Sequence, residues 1–169
     1  IEQADGNHFF IGTGSGLFRA GIGDGSLKLL SDETVESIST PVHELYYHVV
    51  SKQLFIGSYK EGVLIYDMEG TGKIIPCQSP NNVEINQIVA LNAHELLVAT
   101  GGKGVYKLDV NTYMSEPYIT ANYSSYNGMN GNNINDIYVD EEERIWLANY
   151  PTGITVRNNR YGSYDLIRH

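Results

Sequence analysis

Apolar and polar residues alternate along most of this chain in short runs, and the runs repeat. Four segments share one core: HFFIGTGSGLFRA (8–20), QLFIGSYKEGVLIYD (53–67), ELLVATGGKGVYKLD (95–109) and RIWLANYPTGITVRN (144–158). Each has an apolar strand that ends in a small residue, namely Gly12, Gly57, Ala99 or Ala148. A short polar turn follows and ends in Gly16, Gly62, Gly104 or Gly153. An alternating apolar strand then resumes. Both markers recur at roughly 42 to 49 residues, a period typical of repeat architectures.

A further strand precedes each core: IEQA (1–4), HELYYHVV (43–50), VEINQIVAL (83–91) and NINDIYVD (133–140). Another closes each unit: SLKLL (26–30), GKIIPC (72–77), SEPYIT (115–120) and YGSYDLI (161–167). Four antiparallel strands in roughly 45 residues match one blade of a β-propeller. The predicted fold class is all-β: β-propeller blades built as four-stranded antiparallel sheets, in an incomplete propeller of about four blades. The chain reads as a single partial propeller over 1–169, with blades at about 1–31, 40–78, 83–120 and 133–169. No segment carries the apolar 3.6-residue period of a stable helix. The turn glycines suit positive φ, which they adopt without Cβ strain. The small residues before them suit close approach of neighbouring backbones. Trp146 and its equivalents Phe10, Phe55 and Leu97 are expected to pack between adjacent sheets.

Composition narrows the partners. The formal net charge of −9 and pI near 4.9 disfavour phosphate backbones and anionic lipid heads, so no nucleic acid is expected on this segment. No apolar run approaches the roughly 18 residues of a membrane span, so a membrane enters only through a longer parent protein. The chain opens at Ile1 and not Met, which suggests a processed or truncated piece. The single cysteine, Cys77, provides no internal disulfide.

With the blade pattern established, the motifs become recognisable. DIYVDEEERIWLANYPTGITVRN (136–158) resembles the two-component regulator propeller repeat. Its usual form is an apolar strand ending in Asp, a polar turn, Leu-Trp-Ile-Gly-Thr, then a Gly-Leu-x-x-Tyr-Asp strand. LFIGSYKEGVLIYD, FIGTGSGLFRA and LLVATGGKGVYKLD are similar to its back half, and YNGMNGNNIND to its Asn- and Ser-rich lead-in. Only the fourth blade carries the signature Trp, and Asn149 stands there for the usual Thr. The resemblance implies the periplasmic sensor region of a hybrid two-component histidine kinase and response regulator of the Bacteroidetes type. It also implies oligosaccharide sensing, with the kinase elsewhere in the parent protein. Because the family commonly uses about seven blades, four imply a fragment. The alternative is two copies that cover each other's open faces.

The residues show no catalytic constellation, no metal-ligand spacing and no cofactor motif. ATGGKG (99–104) lacks the Lys-Ser/Thr ending of a phosphate loop and falls where the other repeats place a hairpin. The acidic run Asp140–Glu143 lacks a calcium-loop pattern and reads as a solvated turn. No Gly-x-Ser-x-Gly elbow is present. Asp67 and Asp109 share a repeat position, which points to turn-making over catalysis. The expected role is thus a non-catalytic scaffold or docking surface. The alternatives are a fragment of a propeller-fold polysaccharide lyase or glycoside hydrolase, whose carboxylates would assemble between blades, or a pure protein-interaction scaffold.

In a propeller, the loops from strand two to three and from one blade to the next share one face. Here they supply Tyr59, Lys60, Lys103, Asn149, Tyr150, Asn81, Asn82, Tyr123, Tyr126, Asn130 and Asn132. Tyrosine faces stack on sugar rings, and asparagine amides both donate and accept hydrogen bonds. The candidate ligand residues are therefore Tyr59, Lys60, Lys103, Asn149, Tyr150, Tyr123, Tyr126 and Asn132, with 121–133 as the most promising region. Expected partners are an oligosaccharide, other blades or domains of the same parent, and a second copy of the chain.

Overall fold

The structure, a computed structural model, describes residues 1–4, 6–69, 72–120, 131–158 and 160–167. Sixteen strands form four separate antiparallel sheets, each built from four strands consecutive in the chain. Blade one holds β1 to β4 (Glu2–Gln3, His8–Thr13, Gly16–Gly23, Ser26–Leu30). Blade two holds β5 to β8 (Val42–His48, Gln53–Ser58, Val63–Asp67, Ile74–Pro76). Blade three holds β9 to β12 (Ile85–Ala90, Glu95–Thr100, Val105–Asp109, Ser115–Ile119). Blade four holds β13 to β16 (Ile134–Val139, Arg144–Asn149, Gly153–Asn158, Ser163–Ile167). Consecutive sheets meet through their first and second strands, which places those strands toward the axis and the fourth strands at the rim. A four-residue α1 (Glu33–Glu36), too short to carry an apolar helical period, follows blade one. Asp32 caps it by accepting from the Thr34 and Val35 amides, and Val35 and Ile38 then plug the seam of blades one and two.

Three apolar clusters fill the three seams. Phe10, Leu17, Leu54, Ile56 and Leu64 lie between blades one and two. Phe55, Val63, Ile65, Ile85, Ile88, Leu96 and Val98 lie between two and three. Leu97, Ala99, Val105, Ile119, Ile134, Ile145 and Leu147 lie between three and four. A sheet buried on both faces needs apolar residues at successive positions. That is why β6 is buried from end to end, and why QLFIGS reads as a run and not an alternation. Cys77 belongs to the middle cluster, where burial pushes its thiol up.

The seam geometry explains the small residues. A Cβ on Gly12 would come within 2.7 Å of Val42 Cγ1, and one on Gly57 within 2.8 Å of Ile85 Cγ2, each on the next blade. Ala99 occupies the same place against Ile134. Beside each of these contacts the inner strand is irregular. Its register shifts between Val42 and Glu44, between Ile85 and Gln87, and between Ile134 and Asp136. The extra residue reverses the alternation, so positions two apart face opposite sides. Val42 and Ile85 therefore press back on the preceding blade, while Glu44 and Gln87 reach forward to the following one.

Those forward side chains fasten the seams. Glu44 Oε1 accepts from the Ile88 amide at 3.4 Å, and Gln87 Oε1 accepts from the Ile137 amide. At the first seam the bond is displaced by two residues along both strands: Glu2 Oε1 accepts from the Tyr47 amide at 3.0 Å. Burial pushes the Glu44 carboxyl up while the Ile88 N–H pulls it down. Gln87 shows that a neutral acceptor makes the same bond. The extra residues add a second tie. Asn86 Nδ2 donates to the Ile134 carbonyl at 2.7 Å, and His43 Nδ1 lies 2.7 Å from Glu84 Oε1.

The sequence expectation for Trp146 needs correction. Phe10, Phe55 and Leu97 are fully buried in seams. Trp146 faces away from blade three and is half-buried, because among the described residues no sheet lies beyond blade four.

Candidate functional site

The turns between second and third strands are clamped by a repeated device. A hydroxyl at the end of the second strand donates to the carbonyl of the turn glycine: Thr13 to Gly16 at 3.1 Å, Ser58 to Gly62 at 2.9 Å and Thr100 to Gly104 at 2.7 Å. The turn glycines themselves press on the loop entering the next blade. A Cβ on Gly62 would stand 1.9 Å from the Pro80 carbonyl oxygen, and one on Gly16 stand 2.0 Å from that of Ile38. Gly104 donates its amide to the Asn132 carbonyl at 2.8 Å. The two sets of loops therefore share one face.

This packing sorts the predicted residues. Asn149 sits where the other blades have the clamping hydroxyl, and it is only 4% exposed. Its amide donates to the Gly131 carbonyl at 3.0 Å, which ties it to the loop entering its own blade. Lys103 Nζ is held by the Asn81 carbonyl at 2.7 Å. Asn132 contributes its carbonyl to the Gly104 turn. Tyr150 is 63% exposed on the fourth blade, at the position equivalent to Tyr59. Tyr123, Tyr126 and Asn130 lie outside the described residues, as does most of 121–133.

Tyr59 and Lys60 do come together with Asn82, Val83, Glu84 and Gly101. These residues line an open cleft of about 270 Å³ over the seam of blades two and three. The Tyr59 amide donates to the Pro41 carbonyl at 3.0 Å, and its ring is 43% exposed. The His43 ring lies 5.7 Å from the Tyr59 ring at a tilt of 50°. Lys60 Nζ stands 5.8 Å from the centre of the same ring. Asn82 takes a φ of 50° and donates its amide to the Lys60 carbonyl at 3.0 Å. Such a φ is unusual for a side-chain-bearing residue and is best tolerated by Asn and Asp. The site thus offers an aromatic face, an amide, a carboxylate, an imidazole and an ammonium. Sequence reasoning missed His43 and Glu84, because they meet only through the extra residue in β5.

Asp140 is committed to its own turn. Its carboxylate accepts from the Glu142 and Arg144 amides at 3.0 and 2.9 Å, from Arg144 Nε at 2.7 Å and from Trp146 Nε1 at 2.8 Å. Desolvation alone pushes this carboxyl up; the Trp146 and Arg144 bonds overcome it and hold it at about 2. A depressed carboxyl contributes stability above its ordinary value of 3.8, and that contribution is lost as pH falls toward about 2. Asp140→Asn should therefore flatten the thermal midpoint between those two values. An unchanged acid profile in the variant would show that the turn does not couple to folding. Asp109 likewise binds the Thr112 amide at 2.8 Å and the Asn111 amide at 3.0 Å, a turn-making role.

Comparison with solved structures bears on this architecture. The extracellular domain of BT4673 from B. thetaiotaomicron, described as a one component system, superposes with a TM-score of 0.72 at 23% identity. That match covers 92% of this chain and 20% of that one. The extracellular domain of the hybrid two component system BT3049 from the same organism gives 0.69 at 18% identity, over 97% of this chain and 20% of its own. This chain has their fold. It spans about a fifth of the length of either neighbour. A chain of a nidogen/laminin complex gives 0.60 at 11% identity, over 95% of this chain and 60% of its own. No protein-family model and no curated protein matches the sequence.

Proposed function

We propose that this chain contributes blades to the periplasmic sensor region of a hybrid two-component signalling protein. In this reading it is a non-catalytic scaffold whose cleft between blades two and three docks an oligosaccharide. The cleft carries the reading: an exposed Tyr59 ring is flanked by Asn82, Glu84, His43 and Lys60 over a rigid seam. Its volume suits one or two sugar rings, and its mix of one stacking face with several hydrogen-bonding groups suits their chemistry. The sensor placement draws on the neighbours, which are extracellular domains described as one and two component systems.

Isothermal titration of the chain against a panel of plant and host oligosaccharides tests this. Loss of ring stacking in Tyr59→Ala should weaken a binding glycan by about tenfold. Tyr161→Ala, on an exposed hairpin away from the cleft, should leave binding unchanged. Equal losses in both variants, or turnover of the glycan that disappears in Glu84→Gln, would overturn the docking reading. A second reading, from the same exposed loops, is that this face docks a protein. Silence across the glycan panel favours it.

A further inference from the structure

The charged groups at the cleft between blades two and three are not alike. Its carboxylate is engaged: Glu84 Oε1 lies 2.7 Å from His43 Nδ1. Its ammonium groups are not. The turn that enters blade three is gripped by two lysines from different blades. The Lys60 carbonyl accepts from the Asn82 amide at 3.0 Å, and Lys103 Nζ donates to the Asn81 carbonyl at 2.7 Å. Both lysines are exposed. Among the described residues the ion pairs engage Arg19, His43, Lys107 and Arg144, and neither Lys60 nor Lys103.

That arrangement stands out in this chain. With 20 Asp and Glu to 11 Lys and Arg, carboxylates are plentiful enough to pair every cation. Around this turn none is placed within ion-pair reach of either lysine among the described residues, although Glu61 adjoins Lys60 in the chain. The turn is therefore a local reversal of sign on an acidic surface. An ammonium has three donors, and Lys103 gives one to Asn81, so two N–H groups remain. Lys60 Nζ, 5.8 Å from the centre of the Tyr59 ring, is at the outer limit of a cation–π contact. A sugar can take the ring face and keep this ammonium beside it.

We infer that the cleft takes an acidic sugar. A ring stacked on Tyr59 carries a carboxylate or sulfate, and Lys60 and Lys103 bind that group as charge-assisted donors. The inference rests on the docking reading above and adds the charge of the ligand. Glu84 repels an anion at its own end of the cleft and accepts from sugar hydroxyls instead. The acidic group must then lie toward the lysines, which fixes the direction of the bound chain.

Two matched pairs of probes test this by isothermal titration. Trigalacturonic acid and its methyl ester share a skeleton and differ in charge, as do a sulfated galactan oligosaccharide and its desulfated form. The charged member of at least one pair should bind about tenfold more tightly than its neutral partner. The pair that shows the preference identifies carboxylate or sulfate. Lys60→Gln and Lys103→Gln should each remove most of the preference and leave the neutral member unaffected; glutamine keeps an N–H for the Asn81 carbonyl. Neutral members that bind as tightly as charged ones overturn the inference and leave the docking reading standing. So does a preference that survives both substitutions, or binding of a neutral glycan when neither charged probe binds. Silence from every glycan removes both readings.

Discussion

Phe55→Ala should cost the chain about 3–5 kcal/mol of stability, the range for losing a large aromatic from a packed core. Phe55 is fully buried in the middle seam, with Val63, Ile85 and Ile88 in the same cluster, and the His48 ring stands edge-on to it at 6.4 Å. The void cannot collapse easily, because both walls are sheets held by their own ladders and by the Glu44 bond. Urea unfolding should show a lower midpoint with an unchanged slope. Trp146→Ala removes a larger side chain at the equivalent ladder position. Half-buried and facing an open groove, it should cost the monomer far less. Equal costs at the two sites would mean that the seams do not dominate stability.

The second large effect lies in a turn. Gly62→Ala should destabilise the chain by about 3 kcal/mol, combining a disfavoured backbone conformation with a backbone collision. Gly62 has a φ of 74°, and its new Cβ would stand 1.9 Å from the Pro80 carbonyl. A carbonyl within a loop pinned by Asn82 cannot rotate away as a side chain would. Gly25 supplies the contrast, with a φ of 72° and open space around it. Gly25→Ala should cost only about 1 kcal/mol, the conformational part alone. Thermal midpoints of the two variants measured side by side separate the causes. Identical shifts would refute the collision.

These two positions also show what the sequence makes legible. Gly62 and Phe55 recur in a repeat whose core strands and turn glycines can be read from the apolar pattern and its spacing. The fourth strand SLKLL agrees with β4 to the residue. The seams were harder to read, because their ties run between repeats. His43 and Asn86 look like any exposed polar residue at a strand entry. Only the register shift beside each shows that an extra residue turns the strand over. Asn149 was misread as a loop residue for a related reason. It falls after the small Ala148 that marks a strand end, and only comparison with Thr13, Ser58 and Thr100 shows that it takes the position of the clamping hydroxyl, from which it donates to the Gly131 carbonyl. Tyr59 and Lys60 were legible as surface groups, yet their neighbours His43 and Glu84 reach them from two different blades.

The forward-reaching side chains carry one more consequence. Each acceptor and the amide it grips are separated by one period of the repeat, and all point from an earlier unit to a later one. Duplication or loss of a whole unit therefore leaves every remaining join with both its parts. Adding or deleting half a unit would not. The number of units in such a protein can change freely over generations while the polarity of their order stays fixed, in the manner of overlapping roof tiles.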